Sequence, residues 1–186
     1  MALILASQSP RRKDLLGLLN IPFLIRSADI DETLDTDCPI PDAVARLSLR
    51  KALAVDRTPE DTVIAADTIV VCDGYILGKP QDKETAFKML AMLSGREHQV
   101  MTGVTVLKGF HHVSFTEVTQ VRFRNLNARE IRDYIATGEP MDKAGSYGIQ
   151  GGAALFVDGI EGDYYNVIGL PICKLNQVLK EMEVTL

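Results

Sequence analysis

No stretch of this chain approaches the roughly 20 apolar residues of a membrane-spanning helix, so no contact with a membrane is expected. The N-terminal MALILASQSPRRKDLL has a short apolar run, but its charges follow that run, the wrong order for a secretory signal. Cysteine is scarce. Cys38, Cys72 and Cys173 form no CxxC pair and leave an odd count, which fits free thiols in a reducing compartment. A cytoplasmic location is therefore expected. Positive charge is also short: 20 Lys and Arg face 25 Asp and Glu, a net charge of −5. Broad contact with a nucleic-acid backbone is not expected of such a chain. A small anionic ligand stays open if cations gather locally. The chain has no HExxH, GxSxG or Walker A pattern, and no GxGxxG after a strand. His98, His111 and His112 lack zinc spacing. These absences leave metal-plus-carboxylate chemistry as the natural engine.

What is present reads as one α/β domain over residues 1–186, with a bilobed form around a cleft left open, and with no linker, repeat or composition break. ALILA (2–6) predicts a buried strand. Ser9-Pro10 predicts an N-cap with proline at the first helical position, and Leu15, Leu16, Leu18 and Leu19 give that helix its apolar stripe. A strand at 23–27 and an acidic loop from Asp29 to Asp42 follow. A second helix is expected from about Asp42 to Val55. TVIAADTIVV (62–71) predicts a strand buried on both faces, turning at Asp73-Gly74 into YILG. Asp82 caps a helix over 83–93, and strands near 98–108 and 113–124 meet at a Gly-Phe-His-His turn, with His111-His112 at its tip. Asn127 and Glu130 open a helix over 128–137. A strand is expected around Ala154–Val157, and a last helix from Pro171 to about Met182.

Four places carry chemistry. In Ser7-Gln8-Ser9-Pro10-Arg11-Arg12 a strand ends in a polar turn at a helix start, where backbone N–H groups favour an anion. Arg11 and Arg12 sit at the helix end that the dipole reserves for acids, and broken local rules tend to mark function. A solvated arginine pair on a surface turn is the plainer alternative. Asp67 is a carboxylate within an apolar strand, costly unless it is paired or holds a metal; alternation could instead point it outward on a half-exposed strand, but Ile64, Ile69, Val70 and Val71 do not alternate cleanly. Asp31 and Glu32 in the acidic loop could complete a hard-cation site with it. Lys51 on the second helix, Lys79 in Gly-Lys-Pro and Lys143 in Asp-Lys-Ala-Gly are lysines in special settings, each weak alone. Finally, the glycines of YGIQGG (147–152) let backbone approach a ligand closely, and Gln150 could read a base edge with paired donor and acceptor, although on these residues alone a tight turn between strands is the preferred reading.

Taken together, LASQSPRRKDLL, AADTIVV, GKPQDKETAFKML with LSG and H-x-V, EPMDKAGSYGIQG and GDYYNVIGLP resemble the Maf family of nucleotide pyrophosphatases. The likeness spans essentially the whole chain in the family's order. It implies an α/β fold shared with inosine triphosphate pyrophosphatases, an elongated mixed sheet flanked by helices with a central cleft. It implies hydrolysis of a nucleoside triphosphate to the monophosphate and pyrophosphate with a divalent cation, and a frequent homodimer. By motif position, Asp67 is carried over as proton acceptor, and Arg12, Thr68 and Gln150 as positions that set substrate choice. Ser-Pro-Arg-Arg, Asp-Thr and Gly-Ile-Gln-Gly follow the branch acting on dTTP and UTP. The branch acting on 7-methyl-GTP has tryptophan after the proline, glutamine after the aspartate and glutamate in place of Gln150. Ser146, where alanine is common, is a minor departure.

A triphosphate brings about four negative charges, so an acidic protein needs local cations and a metal to hold it. Arg11, Arg12, Lys51 and Lys79 can supply the cations, and Glu32 with Asp67 could hold Mg²⁺ or Mn²⁺. Base and metal ligand are different roles for Asp67, and both stay open here. A nucleotide-binding regulator is the competing reading, because the family is linked to inhibition of septum formation. A pure binding module would have no use for a buried carboxylate beside a basic cluster.

Overall fold

The computed structural model describes residues 2–35 and 37–184. Strands β1 (Leu3–Leu5), β2 (Leu24–Ile25), β3 (Thr62–Cys72), β4 (Tyr75–Leu77), β5 (Glu97–Lys108), β6 (His111–Phe123) and β7 (Val157–Glu161) form a seven-stranded sheet. Its order is β2-β1-β3-β5-β6-β7, with β4 also on β3. The sheet is mixed: β1 runs parallel to β2 and β3, whereas β4 and β7 are antiparallel to β3 and β6. The helices are α1 (Pro10–Gly17), α2 (Ile40–Leu53), α3 (Lys83–Leu93), α4 (Ala128–Ala136), α5 (Tyr164–Ile168) and α6 (Ile172–Glu181). Among the described residues no helix is long and apolar enough to cross a membrane.

The chain divides into two compact units. The first comprises Met1–Asp67, Thr102–Glu117 and Gly169–Leu186, and the second Thr68–Met101 and Val118–Ile168. β3, β5 and β6 each contribute to both. In the first unit, β1 is only three residues long and pairs with Thr62–Ile64, so β3 continues past its end toward Asp67. Ile4, Ala6, Ala52, Val55, Val63, Ala65 and Leu107 form its apolar centre. α2 buries Ala43, Val44, Leu47 and Ala52 and places Arg50 and Lys51 in its last turn, the end that the helix dipole makes favourable for cations.

In the second unit the Asp73–Gly74 turn joins β3 to β4 with both φ angles positive, +50° and +81°, the combination that matches the twist of paired strands. α3 packs on α4. α3 begins where Asp82 accepts a hydrogen bond from the Thr85 N–H, as the sequence predicts. α4 opens on a full capping box: Asn127 accepts from Arg129 and Glu130 N–H, and Glu130 accepts from Asn127 N–H.

Several local expectations change. The strand expected around Ala154–Val157 starts only at Val157, because Gly152–Leu155 winds into a 3-10 turn that buries Ala153 and exposes Leu155. Ser9 holds the N-cap position of α1, but its side chain makes no capping bond; its N–H donates instead to Ser7 Oγ at 3.2 Å. α1 stops at Gly17, leaving Leu18 exposed rather than in its apolar stripe. α2 starts at Ile40, with Pro41 in its first turn, where proline is tolerated. His111 and His112 open β6, and Gly109-Phe110 makes the turn.

Candidate active site

The first unit brings together Ser7, Arg12, Glu32, Lys51 and Asp67, residues up to 60 positions apart in the chain. β1 hands the chain to the Ser7–Ser9 turn beside Ile64, where the Ala6 N–H donates to the Ile64 carbonyl. α1 then carries Arg11 and Arg12 in its first turn, with no acidic residue there. Arg12 Nε donates to the Gly169 carbonyl at 2.8 Å, which fixes the guanidinium against the start of the C-terminal segment. Its side chain keeps some accessible surface, yet burial of the guanidinium is the largest influence on it and lowers its pKa. Asp67 and Glu32 push the other way, and neighbouring Arg11 adds to the lowering. A guanidinium so strongly basic stays charged through such a shift.

Lys51 lies between two carboxylates. Its Nζ donates to Asp67 Oδ1 at 2.5 Å and pairs with Glu32 Oε1 at 2.7 Å. Lys51 and Asp67 expose only 13% and 14% of their side chains, whereas Glu32 exposes 57%. Asp67, with only a small part of its side chain exposed, is thus paired, as the cost of an isolated charge in such a setting requires. Asp31 has local partners. Its carboxylate accepts from the Thr33 N–H and hydroxyl at 2.9 and 2.6 Å, a local turn that holds its pKa below the usual range.

Thr68, Lys79, Lys143 and Gln150 belong to the second unit. Thr68 is half-buried on β3, and Lys79 is exposed just after β4. The Gly145 N–H donates to the Gly78 carbonyl, so the Lys143–Ser146 segment runs beside the Gly-Lys-Pro turn. Lys143 Nζ donates to the Glu139 carbonyl and to Asp142 Oδ1, each at 2.7 Å. Gln150 is exposed at the centre of a turn closed by the Gly151 N–H on the Gly148 carbonyl at 3.0 Å. Ser146, buried with φ +61°, donates its hydroxyl toward Met89 Sδ.

A metal can be tested against these donors. Among the described residues no group of three or more His, Cys, Asp or Glu side chains forms a self-sufficient metal site. Glu32 and Asp67 both pair with the one Lys51 ammonium, and two carboxylates alone suit an ion that brings further oxygen ligands with it. The residues fit a substrate-borne hard cation.

A family model described as Maf-like protein matches residues 2–182. The chain belongs to the Maf family. A Geobacillus sp. (strain WCH70) protein named dTTP/UTP pyrophosphatase is 54% identical to this Maf chain over 181 residues, covering 97% of each. A Symbiobacterium thermophilum protein of the same name is 51% identical, over 96% of this chain and 93% of its own. Among solved structures, a HAM1 protein from Coxiella burnetii superposes with a TM-score of 0.54 at 17% identity, covering 96% of this Maf chain and 98% of that one. At that identity the likeness shows the fold alone, and the fold is the one expected.

Sequence reasoning missed several partners. The Gly169 carbonyl that seats Arg12 has no side-chain signal. The buried His98–Tyr147 pair, 2.8 Å from Nε2 to Oη, leaves no periodic trace. Tyr134 and Glu139, which hold the Gln150 turn, were visible only as parts of α4 and of EPMDKAGSYGIQG.

Proposed function

We propose that this protein hydrolyses dTTP and UTP, with modified pyrimidine nucleotides as further substrates, to the monophosphate and pyrophosphate. The observation that carries the reading is Asp67 held at a half-buried Lys51 beside the Arg12 guanidinium. Two cations around one carboxylate suit a substrate rich in phosphate charge and a reaction that needs a base. The names of the close relatives support the nucleotides.

In this reading Ser7, Arg11, Arg12 and Lys51 receive the phosphates, and Lys79 and Lys143 add positive charge. A water oxygen bonds to the α-phosphorus and the α–β bridging P–O bond breaks. The electron pair leaves with pyrophosphate, and the water's proton passes to Asp67. Glu32 and Asp67 would hold a Mg²⁺ or Mn²⁺ ion, which when bound offsets charge on phosphate oxygens. Arg12, Thr68 and Gln150 set substrate choice. The same reading takes residues 1–186 as a single domain, for which one family model over 2–182 is the support. Location in the cytoplasm and a homodimeric state rest on sequence character and family likeness, and sedimentation tests the latter. A house-cleaning role, removing unwanted nucleotides, fits such an activity.

The test is a panel of nucleoside triphosphates with Mg²⁺ and Mn²⁺, with products identified. UMP or dTMP plus pyrophosphate is expected. A nucleoside diphosphate plus orthophosphate as first products would overturn the bond assignment, and preference for a purine would overturn the substrate.

A further inference from the structure

We propose that Tyr134 and Glu139 are positioning residues that clamp both ends of the turn carrying Gln150 and so set how that side chain meets the substrate base. The inference rests on the reading of Gln150 given above and deepens it. The turn runs from Gly148 to Gly152, with Ile149 buried and Gln150 exposed. At its start the Gly148 N–H donates to Tyr134 Oη at 3.1 Å. At its end the Gly152 N–H donates to Glu139 Oε2 at 3.0 Å. The two anchors are joined, since Tyr134 Oη–H donates to Glu139 Oε1 at 2.8 Å. One phenol and one carboxylate thus fix two backbone amides that flank Gln150.

The anchors are themselves held. The capping box seats α4, and Tyr134 in that helix packs edge-on against Phe156 at 5.2 Å. Burial keeps its pKa above the ordinary tyrosine value, so it remains the phenol that can donate to Glu139. The Glu139 carbonyl takes Lys143 Nζ. The close approach also explains a glycine: a Cβ on Gly151 would lie 2.1 Å from Glu139 Oε1 and 2.4 Å from its Cδ. Glycine at 151 lets the carboxylate reach across to Gly152.

Tyr134→Phe keeps the ring packing and removes only the hydroxyl. Gly151→Ala displaces the Glu139 carboxylate while leaving the side-chain identities at 134, 139 and 150 unchanged. Each should lower the kcat/KM ratio of UTP over GTP by about fivefold to tenfold, the loss falling mainly on KM for UTP. Amide hydrogen exchange at Gly148 and Gly152 should quicken in Tyr134→Phe, while the rest of α4 keeps its protection. In a Gln150→Ala background the same substitutions should leave the ratio unmoved, because their route to the base is gone. If Gln150→Ala changes the ratio but both clamp variants do not, the clamp is wrong and the reading of Gln150 stands. Clamp effects that persist in full without Gln150 also overturn it, since they would act elsewhere. If Gln150→Ala itself leaves the ratio unchanged, the reading of Gln150 falls and the clamp falls with it as a specificity device.

Discussion

Lys51 Nζ donates to Asp67 Oδ1 at 2.5 Å, and both side chains are largely buried. The pair joins the last turn of α2 to the middle of β3, so the carboxylate meets its counter-charge before any substrate arrives. Asp67→Asn keeps the shape and removes the charge that a base or a metal ligand needs. The expected result is a fall in kcat of about 10²-fold or more, with the circular dichroism spectrum retained. Near-normal turnover in the folded variant would remove Asp67 from the chemistry.

Arg12 offers a sharper contrast between charge and shape. Its Nε is engaged by the Gly169 carbonyl, which aims the guanidinium plane. Arg12→Lys preserves the charge and loses both the planar fork and this anchor. KM for UTP should rise about tenfold or more, with a smaller change in kcat. A KM within twofold of the parent would mean that a point charge is enough.

These two residues also show what the sequence could reveal. Asp67 was legible because a carboxylate in an apolar strand breaks a local rule, and the strand is indeed buried except at Asp67 and Thr68. The Asp82 cap and the Asn127–Glu130 box were legible because their bonds form within a few residues. The pairing of Lys51 with both Glu32 and Asp67 was not, since nothing in spacing encodes which distant acids a lysine meets. Edge strand β7 was misplaced for a related reason. Its residues VDGIE are mostly exposed, so the apolar run ALF just before it gave the stronger false signal. α5 escaped notice because five residues are too few for a periodic pattern; the Asp163 carboxylate, accepting from Tyr165 and Asn166 N–H, starts it.

His98 provides a test of stability against pH. It is 2% exposed, edge-on to Phe123 and Tyr147, and burial pushes its pKa down to about 4. Nε2 pairs with Tyr147 Oη, while Nδ1 has no hydrogen-bond partner among the described residues, so a second ring proton would gain nothing. Between the unfolded value of about 6.5 and the folded value, the unfolded chain binds more protons, and stability must rise with pH. This contribution is complete above about pH 6.5 and is lost as pH falls toward 4. From pH 7 to pH 5 it should amount to about 2 kcal/mol. Urea unfolding at both values should show His98→Gln losing about 2 kcal/mol less than the parent over that interval. Equal losses in the two proteins would show that His98 titrates normally.

The last prediction concerns the base. Gln150 stands exposed at the centre of its turn, where its amide can present one donor and one acceptor. Against uracil or thymine, the amide N–H would donate to a ring carbonyl and the amide carbonyl would accept from N3–H. Gln150→Glu keeps the acceptor, removes the donor and adds a negative charge. A uracil carbonyl would then face a carboxylate, acceptor against acceptor. Mispairing of this kind costs about 1–3 kcal/mol where water is excluded. That corresponds to a loss of about 5- to 150-fold in kcat/KM for UTP and dTTP. A guanine ring offers N–H donors on its Watson–Crick edge, and methylation at N7 adds positive charge, so the same change should favour 7-methyl-GTP in relative terms. The clamp makes the substitution a clean one, because Tyr134 and Glu139 hold the backbone of the turn and not the side chain at 150. A full switch of preference is expected only when Thr68 and Arg12 change as well. The measurement is kcat/KM for UTP, dTTP and 7-methyl-GTP in the parent and in Gln150→Glu. A UTP to 7-methyl-GTP ratio that stays constant would show that this side chain does not read the base.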